Sequence, residues 1–181
     1  VWGVQSRQHA QEIHGFDLTD VVITGPPWFW PYSAMWHDTK PEHVLYAGTS
    51  IAYSEDEWQI VERVRGFLNG CMPPRFIYRP HPRRGAGWTL SPADAMLTAE
   101  QVARSHVLVT AFSTMIIEAA LSGRPSVVIG FGRTAQGSGA LLDHSRYEHM
   151  ADILEKPGVC LVTEFGLLRL AIQSRANSEP A

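Results

Sequence analysis

The chain has 181 residues, of which 45% are hydrophobic and 18% charged, with a formal net charge of -3. This composition predicts one α/β unit with a sizeable core, and the mildly acidic balance excludes nucleic acid as a partner. No run of about 18 apolar residues occurs, so no membrane span is expected, although peripheral contact with a membrane stays open.

Two cysteines, Cys71 and Cys160, lie far apart without metal-ligand spacing. They indicate reduced thiols and a cytoplasmic location, with the inner face of a membrane as one variant. The chain has no Asp-x-Asp pair and no Cys and His cluster, so we expect no metal site.

The stretch "PPWFWPYSAMWHDTKP", Pro26 to Pro41, packs four prolines and three tryptophans together. Neither a helix nor a central strand accommodates this composition, which indicates a linker. The alternative is that the aromatic rings contact an acceptor or a membrane.

The α/β pattern begins with the strand "VLYAG", which is followed by a helix with Ser54 and Glu57 as its capping box. The helical spacing of Trp58, Val61 and Val64 predicts its buried face. A strand "RFIYR" then ends at Pro80. The remaining predicted elements are a helix from Thr98 with Gln101 as capping pair, a strand Val107 to Thr110, a helix after Ser113, a strand "SVVIG", a Gly-rich loop "GFGRTAQGSG", a helix near Tyr147 to Glu155, a strand "VCLV" and a helix from Thr163. This alternation predicts a doubly wound parallel sheet, a Rossmann-like α/β fold.

Ser113 and Thr114 lie where a predicted buried strand ends and a helix begins. Ligands of such sheets bind outside the carboxyl ends of the strands, where helix N–H groups and hydroxyl donors suit phosphate. Glu118 falls four residues after Thr114, one turn along the same helix face, and is placed to accept ribose hydroxyls. The structural alternative is that Ser113 only caps the helix and that Glu118 is a solvated acid.

His81 stands between two prolines at the end of another strand, which displays its imidazole at the same edge of the sheet. Arg79 precedes it and could pair with anionic oxygens or solvate a turn. Gly48 and Thr49, which follow the first strand, would form a further small-residue loop at this edge.

The motifs "YRPHPRR" and "SHVLVTAFSTMIIEAALSGRPSVVIG" resemble the carboxyl-terminal, donor-binding half of GT-B glycosyltransferases of the bacterial polysaccharide type. These include capsule polymerases, sialyltransferases and glycerophosphate transferases. The resemblance implies that Ser113 and Thr114 bind the phosphates of a nucleotide-activated donor, and their place at the same edge adds Gly48, Thr49 and Arg79 to the predicted donor site. The resemblance also implies ribose binding by Glu118 and phosphate binding by His81. Because the ordinary pKa of an imidazole lies near neutral pH, we further expect His81 to act in catalysis by protonating the leaving phosphate. A departure is His106, where the family often has Asp.

The resemblance implies a metal-independent inverting transferase that uses a CMP-, CDP- or UDP-linked donor, a glycan acceptor and no cofactor. Residues 1–31 would then be the tail of a preceding acceptor-side domain, 32–43 the linker and 44–181 the nucleotide-sugar binding domain. His9 or His14 would supply the base, unless both are surface residues of a helix. Two alternatives remain, namely a non-hydrolysing sugar-nucleotide epimerase and a noncatalytic domain that binds nucleotide or a partner.

Overall fold

The structure, a computed structural model, describes residues 11–12, 15, 17, 19, 22, 29, 31–32, 39–49, 57–69, 75–81, 92–111, 113–132 and 148–176. Strands and helices alternate along this part of the chain. The strands are β1 His43–Ala47, β2 Arg75–Arg79, β3 Ser105–Thr110, β4 Ser126–Ile129 and β5 Val159–Val162. The helices are α1 Glu57–Asn69, α2 Pro92–Ala103, α3 Met115–Leu121, α4 Glu148–Leu154 and α5 Phe165–Ala176.

The five strands form one parallel sheet in the order β2-β1-β3-β4-β5. This confirms the predicted doubly wound α/β fold. The connection out of β1 leads outward to β2, whereas the next strand, β3, pairs with the other side of β1. The strand order therefore reverses between β1 and β3, and the carboxyl ends of these two strands border the crevice where ligands of such sheets bind.

The core has two layers because successive side chains of each strand point to opposite faces of the sheet. Val44 and Tyr46 of β1 pack with α1 and α5 on the first face, which we call the α1/α5 face. Leu45 and Ala47 pack with α2 and α3 on the second, the α2/α3 face. Both faces of β1, an interior strand of the sheet, are fully covered, as expected for a parallel sheet.

Two predicted helices differ from the structure. The predicted buried face of α1 is confirmed at Val61 and Val64, but Trp58 is 55% exposed, because Ile60 and Leu68 complete that face. Helix α2 begins at Pro92, six residues before the predicted capping residue Thr98. Proline suits the first helical position, where its missing N–H costs no hydrogen bond, and Thr98 is a buried residue inside the helix.

Two residues of the predicted linker pack against the α/β unit. Tyr32 is 5% exposed and belongs to the core of the α2/α3 face. The hydroxyl of Thr39 donates to the carbonyl of Ala103, and its own carbonyl accepts a hydrogen bond of 2.6 Å from the buried Arg124 guanidinium. The segment that precedes β1 is thus held to the sheet at these two residues.

Several predicted features lie outside the described residues. They are the base candidates His9 and His14, the capping residue Ser54 and most of the Gly-rich loop, residues 133–139. No helix among the described residues is long and apolar enough to cross a membrane.

Candidate functional site

The predicted site residues follow the carboxyl ends of three neighbouring strands. Gly48 and Thr49 come after β1, and His81 lies two residues beyond Arg79, the last residue of β2. Because the strands are parallel, these positions share one edge of the sheet with the corner after β3, which contains Ser113, Thr114 and Glu118. The sheet edge predicted from the sequence is therefore the edge that carries them, and β1 lies between the His81 and Ser113 strands.

Gly48 allows the ends of β1 and β2 to approach closely. Its N–H donates to the carbonyl of Arg79 at 2.8 Å. A Cβ atom at this position would lie 3.0 Å from that carbonyl oxygen and 3.1 Å from both the backbone N of His81 and the hydroxyl of Tyr78. Two of these neighbours are backbone atoms that cannot move aside cheaply, so glycine is needed for packing at this position.

Thr49 is fully buried, and its donors are engaged within the protein. Its backbone N–H and its hydroxyl both donate to Oε1 of Glu57, and the Tyr78 hydroxyl donates to Oε2 at 3.4 Å. The sequence pattern placed Glu57 in a capping box. The described hydrogen bonds of Glu57 instead fix the loop after β1. Thr49 therefore stabilises the conformation of this loop as a buried residue.

Ser113 and Thr114 directly precede α3, which begins at Met115. Thr114 occupies the N-cap position, is exposed and makes no side-chain capping bond. The oxygen of the partly buried Ser113 hydroxyl accepts the Met115 N–H at 3.2 Å. Ser113 therefore helps to cap the helix, while the Thr114 hydroxyl faces outward and can meet a ligand.

Glu118 is the centre of a polar cluster on the α2/α3 face. It accepts a hydrogen bond from the Tyr32 hydroxyl and lies within electrostatic range of Arg79, which in turn donates to the side chain of Gln101 at 3.1 Å. The second carboxylate oxygen of Glu118, Oε2, is buried and has no hydrogen-bond partner among the residues that the structure describes. A buried acceptor without a partner is costly, so this oxygen is suited to receive a donor from outside the chain.

The protonation of this cluster follows from its burial. Burial raises the pKa of Glu118 above its ordinary value, and the Tyr32 hydrogen bond and the Arg79 charge oppose that rise. Burial raises the pKa of Tyr32 as well, with the neighbouring carboxylate acting in the same direction. Tyr32 is therefore held neutral as the donor of the pair.

The sequence pattern did not identify Tyr32 or Tyr78, and it assigned only helix-capping roles to Gln101 and Glu57. Tyr32 lies 86 residues before Glu118 inside a Pro-rich stretch, and nothing local signals that contact. Tyr78 could have been identified from the sequence, because it directly precedes Arg79 and its side chain lies on the opposite face of the same strand.

His81 and His106 occupy different ends of the molecule. His81 is partly exposed at the carboxyl edge of the sheet, beside the backbone of Gly48. His106 is the second residue of β3, and burial lowers its pKa. The departure from the family pattern at His106 therefore lies at the amino edge, away from the candidate site.

Within the described residues, no group of three or more His, Cys, Asp or Glu side chains is arranged to hold a metal ion.

The fold and this edge define a doubly wound α/β domain with a polar cluster beside its crevice. Comparison with known proteins finds no matching family model, no matching curated protein and no matching solved structure.

Proposed function

We propose that this chain is the donor-binding half of a metal-independent inverting transferase. It would move a sugar or glycerophosphate unit from a CMP-, CDP- or UDP-linked donor to a glycan acceptor. The observation that carries the proposal is the Glu118 carboxylate, whose Oε2 has no partner and which lies near Arg79 beside the β1/β3 crevice. An unpaired acceptor next to a cation, at the edge where such sheets bind ligands, suits a ribose attached to phosphates.

In this proposal the ribose hydroxyls donate to Glu118, and the phosphates meet the hydroxyl of Thr114 and the side chains of Arg79 and His81. Since Oε2 is buried and Tyr32 already donates to the carboxylate, we expect Tyr32 to shift when the ribose binds. The ligand hydroxyl would then reach Oε2 and become the donor to that oxygen, which has no partner among the described residues.

The reaction would be one displacement. The acceptor hydroxyl oxygen forms a bond to the activated carbon or phosphorus and gives up its proton to a general base, for which His9 and His14 are the candidates. The bond from that carbon or phosphorus to the nucleotide phosphate oxygen breaks. The charge that develops on the departing phosphate is stabilised by Arg79, and a protonated His81 can transfer its proton to the leaving oxygen. An imidazole is suited to this step because its ordinary pKa lies near neutral pH.

One observation favours a second candidate, a noncatalytic scaffold. Ser113 accepts the N–H of Met115, which is what a helix cap alone would do. In that case the corner after β3 would be structural, and the chain would bind nucleotide weakly or not at all.

Titration calorimetry with CMP, CDP, UDP, GDP and ADP separates these candidates, with each titration repeated in EDTA. The transferase proposal expects one selective nucleotide whose affinity survives the chelator. Loss of binding in EDTA that magnesium or manganese restores would contradict the metal-free mechanism. Absence of binding to all five nucleotides would favour the scaffold.

Three variants test the assignment of groups. Ser113→Ala with Thr114→Ala should weaken nucleotide binding at least about tenfold while leaving nucleoside binding nearly unchanged, because only the nucleotide has phosphate oxygens. Glu118→Gln should weaken both ligands alike. Glu155→Gln removes an exposed acid at the end of α4 and serves as the control. Parental affinity in the first two variants, with lowered stability only, would make this corner a helix cap.

A further inference from the structure

A second cleft opens on the α1/α5 face, at the carboxyl end of β4. Its volume is about 180 Å³, and its described lining consists of Gln59, Ile60, Arg63, Phe131, Gly132 and Phe165. Ile60, Phe131 and Phe165 belong to the core of this face, whereas Tyr32 packs on the α2/α3 face beside Glu118. The sheet therefore separates this cleft from the Glu118 cluster.

The positively charged side chain of this cleft, Arg63, lies over an aromatic ring. The guanidinium carbon of Arg63 lies 4.8 Å from the centre of the Phe165 ring. Phe131 contacts that ring edge-on, with centres 5.7 Å apart and planes at 87°. A guanidinium stacked on a ring still has its N–H groups at the edge of the guanidinium plane, where they can meet an anion. The ring also restricts the orientation of the guanidinium before a ligand binds.

Arg63 differs from two other arginines of the described residues in its charge environment. Arg65 pairs with Glu62, and Arg104 pairs with Glu42 and Glu100. No carboxylate in the described part of the chain lies within ion-pair distance of Arg63, and the described lining of the cleft contains no acidic residue. The cleft thus presents a positive charge that no acidic group of its described lining neutralises.

The rest of the lining limits what fits beside that charge. Ile60 and the two phenylalanine rings provide an apolar wall, and Gln59, one turn before Arg63, adds an amide donor and acceptor. The volume is well below the roughly 300 Å³ at which pockets for drug-sized ligands begin. We propose that this cleft binds a small organic anion, a carboxylate or phosphate on a compact apolar body, at a site on the opposite face of the sheet from the Glu118 cluster.

Three small probes dissect the proposed site by calorimetry on the 181-residue chain. Benzoate has both the charge and the apolar ring, benzamide has the ring without the charge, and acetate has the charge with almost no apolar body. We expect saturable binding of benzoate in about the millimolar range, and binding of each other probe at least about tenfold weaker. Benzamide that binds as well as benzoate would overturn the anion site.

A matched pair of variants on α1 locates the binding. Arg63→Gln should weaken benzoate binding about tenfold or more, whereas Arg65→Gln, the same change of charge on the same helix, should change it less than about twofold. Both variants should keep the thermal midpoint of the parent closely enough to show an intact fold. Equal losses in the two variants would mean general attraction by charge, and failure of benzoate to bind the parent chain would refute the site itself.

Discussion

Thr49 directs its two donors to one atom, Oε1 of Glu57, with distances of 2.5 Å from its backbone N and 2.8 Å from its hydroxyl oxygen. Glu57 is fully buried, and its other oxygen accepts the hydroxyl of Tyr78. One carboxylate in the first turn of α1 thus connects the loop after β1 with the end of β2.

We expect Glu57→Ala to lower the free energy of unfolding by about 2–5 kcal/mol, because it removes these hydrogen bonds and leaves both donors of Thr49 buried without their partner. Urea denaturation measures the loss. Glu62→Ala is the control, since Glu62 lies on the exposed side of the same helix in one ion pair and should cost no more than about 1 kcal/mol. Equal stability of the two variants would remove the structural role assigned to Glu57.

Substitution by alanine should have opposite effects on stability at two glycines, Gly48 and Gly66. Gly48→Ala places a methyl group 3.0 Å from the Arg79 carbonyl oxygen and should destabilise the chain by about 1–3 kcal/mol. Gly66 lies inside α1 with nothing within 4 Å of an added Cβ, so Gly66→Ala should stabilise it by about 0.5–1 kcal/mol. Thermal or urea unfolding gives both values, and a tolerated Gly48→Ala would show that the ends of β1 and β2 are not tightly packed.

Glu118 should make stability depend on pH. Burial raises its pKa above the ordinary value of 4.5, so between that value and the raised one the folded chain binds more protons than the unfolded chain. The Glu118 contribution to stability is therefore fully present below pH 4.5 and is lost as pH rises through the raised pKa. Relative to the parent, Glu118→Gln should become progressively more stable from about pH 4 towards neutral pH. A difference that stays constant over this range would contradict the raised pKa.

The sheet was predictable because its strands are short apolar runs, "VLYAG", "RFIYR" and "VCLV" among them, bounded by Gly, Pro or polar residues. The carboxyl edge of the sheet could be predicted as the edge that carries the candidate site, because strands and helices alternate along the chain. The start of α2 was missed because Pro92 resembles a loop residue as much as a first helical residue. Contacts such as Tyr32 with Glu118 depend on tertiary packing between distant segments, and local periodicity carries no information about them.

His81→Ala should weaken the binding of nucleoside diphosphate by about tenfold, since an imidazole at the carboxyl edge would contact the phosphates. His106→Ala, at the amino edge of the sheet, should leave that affinity unchanged. Calorimetry gives both affinities, and thermal unfolding reports on the fold. A lower thermal midpoint with parental affinity in His81→Ala would assign His81 to the structure rather than to the site.

The hydrogen bond from Arg124 to the carbonyl of Thr39 joins residues 85 positions apart. A ribosome adding about 5–20 residues per second therefore needs roughly 4–17 seconds between making the two partners. Until residue 110 is made, β1 exists without β3, its neighbour on one side, and until Arg124 is made the Thr39 segment has no guanidinium to hold it. We expect arrested chains that end before Arg124 to be cut by protease near Thr39, and longer ones to resist. The strand β1, although the first of the five to be made, would thus be among the last to become fully enclosed.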